Sequence, residues 1–354
     1  MAVYNGNIYG KPKSKGLWIY PILVLLIFGI SYYVYRIKHH APDTDQVKQS
    51  ETAPQAPAKN PPPATVPKKE TPPAPPLPAA KPAVTEANLP GMAKDLAEPN
   101  AQTARLIDHA VALVNSQPPQ IIEARDRLND ILSMPINSQQ RTAVKDQLSQ
   151  LSEKWLFSRT IFPQDTLCAS YKVKPGDSLA TISAEFKIPY EIIMQINSIA
   201  RPEALQAGEM IKVIKGPFNA RIYRSAFTMD LYLQQNMFVR TFKVGLGKAG
   251  KETPTGLWLV KSDGKLISPT WTDPDTGKVY HAEDPDYPLG SRWIGLDGIE
   301  GQAKGRTGFA IHGTKDPQEI GAAASRGCVR LHNGDAILVY NLMMPGFSQV
   351  KIVD

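Results

Sequence analysis

Residues 308–330, GFAIHGTKDPQEIGAAASRGCVR, decide how the rest of this 354-residue chain is read. His312 ends a short apolar run and precedes Gly313. Sixteen residues downstream, Cys328 follows Gly327 and lies between Arg326 and Arg330. A thiol attacks as its thiolate, and a nearby histidine is the usual means of removing the proton. Glycine beside the nucleophile lets a carbonyl substrate approach, with backbone N–H groups facing the developing oxyanion. Arg326 and Arg330 would favour negative charge at Cys328. From the residues alone, Cys328 and His312 read equally as a catalytic pair or as buried structural side chains. A zinc site is the rival chemistry: Cys328 and His332 have C-x3-H spacing, and His312 or His281 would add a ligand. No second cysteine pair and no H-E-x-x-H helix accompanies them, so neither metal nor cofactor is expected.

Around this stretch, residues 217–354 are rich in strand signals. Thr228–Leu233 and 238–244 alternate about a turn at Gln235-Asn236, and short strands are expected at 257–261 and 308–312. No long helical stripe interrupts them, which predicts a mostly-β domain. Here His312-Gly313 with Ser325-x-Gly327-Cys328-x-Arg330 resembles the signature of L,D-transpeptidases with a YkuD-type catalytic domain. Thr253-Pro-Thr-Gly256 and Pro288-Leu-Gly290 fall where that family has similar motifs, although Tyr287 stands where asparagine is expected.

The resemblance implies that Cys328 attacks the bond between the third residue and D-alanine of a peptidoglycan stem tetrapeptide. It makes His312 the proton carrier, with the Gly313 carbonyl orienting its ring. N–H groups around Gly327 and Cys328 would bind the oxyanion, and Ser325 and Arg330 would shape the pocket. An amine of a second stem would take the acyl group, giving a 3–3 cross-link or a wall-attached protein, and carbapenems would acylate Cys328. Two alternatives remain: an L,D-carboxypeptidase, in which water takes the acyl group, and a non-catalytic glycan-binding wall tether. Residues 264–290, with Trp271, Tyr280 and Tyr287, are long enough for a lid that excludes water.

Upstream, residues 171–214 read as strand, turn, two helices, turn and strand, with Asp177 or Ser178 capping the first helix. Tyr171-x-Val-x-x-Gly-Asp-Ser-Leu179, Asn197 and Leu205-x-x-Gly208 resemble a LysM domain. The resemblance implies binding of N-acetylglucosamine-containing glycan through Gly176, Asp177, Ser178, Leu179 and Asn197, in loops 176–179 and 197–201. Before it, residues 99–158 carry three apolar stripes at helical spacing, a small antiparallel bundle whose third helix is capped by Asn137 or Ser138. Cys168 reads as a lone thiol; its alternative is redox pairing with Cys328.

Residues 42–90 hold 14 of the 32 prolines, a composition that buries no core and extends on the order of 100–150 Å as polyproline II. Leu17–Tyr35 is 19 uncharged residues, enough for about 28 Å of helix. Aromatic residues mark its ends and no small-residue cleavage site follows, so an uncleaved anchor is expected. Of the net charge of +7, five positive residues flank this run; no folded region is basic enough for nucleic acid.

The expected architecture is multidomain: cytoplasmic tail (1–16), N-terminal transmembrane helix (17–35), Pro-rich disordered linker (36–98), small α-helical bundle (99–160), βααβ LysM domain (170–215) and mostly-β L,D-transpeptidase catalytic domain (217–354). Its expected partners are peptidoglycan stem peptides, glycan strands and the cytoplasmic membrane. The expected location is a single-pass cell-membrane protein with its catalytic domain facing the periplasm or wall.

Overall fold

The computed structural model describes residues 101–354. The expected tail, anchor and linker at 1–16, 17–35 and 36–98 lie outside the described residues. Among the described residues, no helix is long and apolar enough to cross a membrane.

Three helices come first: α1 (Ala101–Val114), α2 (Ile121–Leu132) and α3 (Ser138–Trp155). Asn137 caps α3, its side chain accepting from the Gln140 N–H. Leu128, Ile131, Val144, Leu148 and Leu151 face inward at the spacing of one helical face and form the bundle's core.

The second unit is βααβ. Strand β1 (Cys168–Lys172) pairs antiparallel with β2 (Met210–Ile214), and α4 (Leu179–Phe186) and α5 (Tyr190–Asn197) lie between them in sequence. Its seam with the bundle includes two buried cations, Lys212 and Arg125. The Lys212 ammonium reaches out of β2 and donates to the carbonyls of Trp155, Ser158 and Thr160. Three acceptors for three protons is what a buried ammonium needs. Arg125 does the same service from α2, 2.9 Å from Asp165 and 4.4 Å above the Trp155 ring.

The third unit is built on a mixed sheet of eight strands. They are β3 (Phe218–Tyr223), β4 (Thr228–Leu233), β5 (Met237–Lys243), β7 (Gly256–Ile267), β10 (Arg292–Glu300), β11 (Phe309–His312), β13 (Val329–Arg330) and β14 (Gln349–Val353). Their order is β13-β11-β10-β7-β14-β3-β4-β5. Short strands β6 (Leu246–Gly247) and β12 (Ala323–Ser325) pair beside the sheet, and β8 (Trp271–Thr272) and β9 (Val279–Tyr280) form a separate hairpin.

The sheet's two edges are treated differently. At β5 the helical bundle covers the edge: Asn129 accepts from the Phe238 N–H at 3.0 Å, and Lys145 lies 2.6 Å from buried Asp230. A covered edge is less open to pairing with another strand. The opposite edge, β13, carries the residues after Cys328.

One expectation needs correction. The catalytic region does contain a helix, α6 (Asn333–Leu342). Its apolar residues face several neighbours at once, so no single stripe shows in the sequence. The long strand β10 was also illegible, because RWIGLDGIE reads as broken by glycine. In the fold, glycine there serves close approach rather than a turn: a Cβ on Gly298 would sit 1.8 Å from the Ala303 carbonyl oxygen.

The βααβ unit also rests on the sheet domain. Glu191 of α5 lies 3.4 Å from Lys265 of β7, whose ammonium sits 4.2 Å above the Tyr340 ring of α6.

Candidate functional site

Strands β11 and β13 run parallel with Ile311 opposite Val329 and His312 opposite Arg330. Cys328 comes one step before Val329, so by register it shares a sheet face with His312, one row away. Neighbouring strands at an edge thus gather the two residues that the chain separates by a loop.

The turn before β13 is internally braced. Ser325 donates to the Cys328 carbonyl at 2.6 Å and accepts from the Gly327 N–H at 3.1 Å. Gly327 has φ +115, and a Cβ there would meet the Phe309 ring at 2.8 Å, so only glycine fits. Ser325, expected to shape a pocket, is instead buried in this brace. Of the two N–H groups assigned to an oxyanion, that of Gly327 is already committed.

His312 is buried, with Nδ1 2.6 Å from the Gly313 carbonyl. A carbonyl only accepts, so Nδ1 carries the proton and Nε2 keeps its lone pair. Trp293, directly opposite on β10, stacks on the imidazole with ring centroids 5.5 Å apart. Burial pulls the imidazole pKa down to about 4; the Gly313 and Leu289 carbonyls oppose this and Arg330 reinforces it. The histidine is therefore neutral at pH 7.

Cys328 is half-buried, and its thiol lies 3.9 Å from the Gly308 carbonyl rather than on the imidazole. Resting catalytic hydrogen bonds are often loose in this way. Burial pushes the thiol up to about 11, against the pull of the Ala310 N–H. The expectation that Arg326 and Arg330 would lower it is not met, for a plain reason. Arg326 pairs with Asp273 and Asp275, and Arg330 pairs with Glu319. Both cations are neutralised before they reach the sulfur. Both cysteines are free, and Cys168 is 2% exposed with its thiol raised to about 12 by burial. Among the described residues, no three His, Cys, Asp or Glu side chains gather as a metal site.

Sequence reading missed the supports of this site. Trp293 and Asn333, whose side chain accepts from the Thr314 N–H at 3.0 Å, lie beyond any motif. Only the register of β10 and the return of α6 bring them there. A cavity of about 340 Å3 also opens among Arg224, Phe227, Leu246, Thr253 and Ala323, but neither Cys328 nor His312 lines it.

In the βααβ unit, the five expected glycan-contacting residues separate. Gly176 and Ser178 are exposed, and Ser178 forms a reciprocal capping box with Thr181 at the start of α4. Asp177, which the sequence offered as the alternative cap, accepts instead from the Tyr171 hydroxyl and the Lys174 N–H, each at 2.8 Å. Leu179 and Asn197 are both 3% exposed and must be corrected. Leu179 packs in the core. The Asn197 amide donates to the Ile193 and Lys212 carbonyls and accepts from the Lys212 N–H. Both amide hydrogens and the amide oxygen are thus engaged inside the fold.

Residues 171–213 match the LysM domain family, and residues 220–352 match the L,D-transpeptidase catalytic domain family, YkuD. The protein named L,D-transpeptidase YkuD in Bacillus subtilis strain 168 is 30% identical over 190 residues, which span 52% of this chain and 98% of that one. Its namesake in Bacillus licheniformis is 28% identical over 189 residues, 51% of this chain and 97% of the relative. Among solved structures, the catalytic domain of an E. faecium L,D-transpeptidase aligns over 38% of this chain and 95% of its own. It does so at 18% identity and a TM-score of 0.30.

Proposed function

Because the chain belongs to the L,D-transpeptidase family, we propose that it forms 3–3 peptidoglycan cross-links, or attaches proteins to the wall, through a thioester on Cys328. The observation that carries this reading is His312, its Nδ1–H fixed on the Gly313 carbonyl, on the sheet face it shares with Cys328.

The steps follow from that protonation pattern. The Cys328 sulfur attacks the carbonyl of the third stem residue while Nε2 of His312 takes the thiol proton. With the Gly327 N–H held by Ser325, the Cys328 N–H is the donor left in this turn for the oxyanion. The intermediate collapses as His312 passes its proton to the amide nitrogen, and D-alanine leaves. An amine of a second stem then attacks the thioester, its proton goes to His312, the C–S bond breaks and the thiol is restored. One amide is exchanged for another, so no ATP is needed.

The LysM module supports retention on glycan strands, with exposed Gly176 and Ser178 and the 198–201 loop as the contact surface. The uncharged run 17–35 supports a single-pass anchor, with the catalytic domain in the periplasm or wall. Carbapenems, as strained acyl donors, would acylate Cys328 and add their mass to the intact protein.

The test is mass spectrometry of purified disaccharide-tetrapeptide incubated with wild type and Cys328→Ala. Cross-linked dimer and free D-alanine are expected from wild type alone. Dimer formed by Cys328→Ala would overturn the mechanism; tripeptide without dimer would make the protein a carboxypeptidase.

A further inference from the structure

Arg326 stands two residues before the nucleophile, yet its guanidinium turns away from the thiol. Its Nη1 lies 3.1 Å from Asp273 Oδ2 and its Nε 2.7 Å from Asp275 Oδ2. One planar cation thus spans two carboxylates of the hairpin formed by β8 and β9. Asp273 has a second task. Its Oδ1 accepts from the N–H groups of Asp275 at 2.8 Å and Thr276 at 3.2 Å, so the carboxylate that orders the hairpin turn also receives the arginine. Trp271 and Tyr280 pack across the hairpin with ring centroids 5.9 Å apart. Lys251 adds another cation, 3.3 Å from Asp275, and its carbonyl oxygen lies 3.5 Å from where a Gly327 Cβ would be. Hairpin, loop 248–253 and nucleophile turn therefore meet through one small charge network.

The network is partly open to solvent. Arg326 and Asp275 keep 37% and 48% of their side-chain surface, so the tie is weak and screened by salt. It can be made and released at little cost in free energy.

We propose that Arg326 is a positioning residue: it straps hairpin 271–280 to the nucleophile turn and thereby governs how the Cys328 thioester divides between amine and water. The inference rests on the acyl-enzyme reading above. In either outcome the C–S bond breaks and the thiol regains a proton. With water the product is the tripeptide acid; with an amine it is the cross-link. A hairpin held against the turn keeps water out while the amine arrives.

The experiment compares wild type, Arg326→Met and Arg326→Lys in the full chain. Iodoacetamide labelling of Cys328 is followed by intact mass at pH 8, in low salt and in 1 M NaCl; buried Cys168 is the internal control. Arg326→Met should label several-fold faster than wild type in low salt. High salt should speed wild type but not the variant, and Arg326→Lys should fall between. With tetrapeptide and acceptor, the ratio of hydrolysed tripeptide to dimer should rise at least fivefold in Arg326→Met.

Unchanged labelling and an unchanged ratio would overturn the proposal. So would slower labelling, which would mean that Arg326 acts as a charge on the thiol. If wild type forms no acyl-enzyme, the transpeptidase reading fails while the labelling contrast still judges the strap. If Arg326→Met does not fold, Arg326→Lys and the salt response decide.

Discussion

The LysM module and the nucleophile turn both carry a motif, and the two motifs are used in opposite ways. In the module, Asn197 and Leu179 are closed inside the fold, Asp177 holds the Tyr171 hydroxyl and the Lys174 N–H, and Ser178 caps α4. In the turn, the same kind of local bracing by Ser325 and Gly327 leaves one reactive atom, the Cys328 sulfur, half-buried and unpaired by charge. A motif residue can make a fold or perform chemistry, and the atoms it still has free tell which.

The sharpest break of that contrast is in activity. Cys328→Ala should lower dimer formation by on the order of 10^4-fold or more, and His312→Ala by about 10^2–10^4-fold, with the fold kept by circular dichroism. Residual cross-linking within tenfold of wild type would move both residues to the structural side.

Next in size is Asn197→Ala. It leaves the Lys212 N–H and carbonyl unpaired in the LysM core and should cost about 2–3 kcal/mol in denaturant unfolding. Glycan binding lost with stability intact would make Asn197 a contact residue after all.

The titration of His312 gives a third handle. Its folded pKa lies near 4 and its ordinary value at 6.5, so between those values the unfolded chain binds a proton that the fold refuses. Stability should be full above pH 6.5 and fall as the pH drops towards 4, and His312→Gln should flatten that slope. In the same vein, the alkylation rate of Cys328 in wild type should keep climbing from pH 8 to 10, because its thiol sits near 11. A plateau below pH 8 would reveal a preformed thiolate–imidazolium pair.

Smallest is Ser178→Ala, which removes the α4 cap and should cost about 1 kcal/mol. A loss of glycan retention no larger than the loss of stability would take Ser178 off the proposed contact surface.

Much of this was legible beforehand because it is local. The three helical stripes, the Asn137 cap, the βααβ pattern and the hairpin of β4 and β5 follow from periods of 3.6 and 2 and from turn chemistry. Cys328 and His312 stood out as a candidate pair by spacing, and the LysM and transpeptidase resemblances as motifs. What remained hidden depends on residues distant in sequence. The place of β14 between β3 and β7, the glycines of β10, the stacking of Trp293 on His312 and the neutralising partners of Arg326 and Arg330 exist only once the sheet has closed. The sequence by itself determined which residue types stand ready for thiol chemistry and which segments coil or extend. Tertiary structure alone decided their protonation and their freedom, because burial and the nearest charge fix a pKa, and both are set by chain segments far away along the sequence.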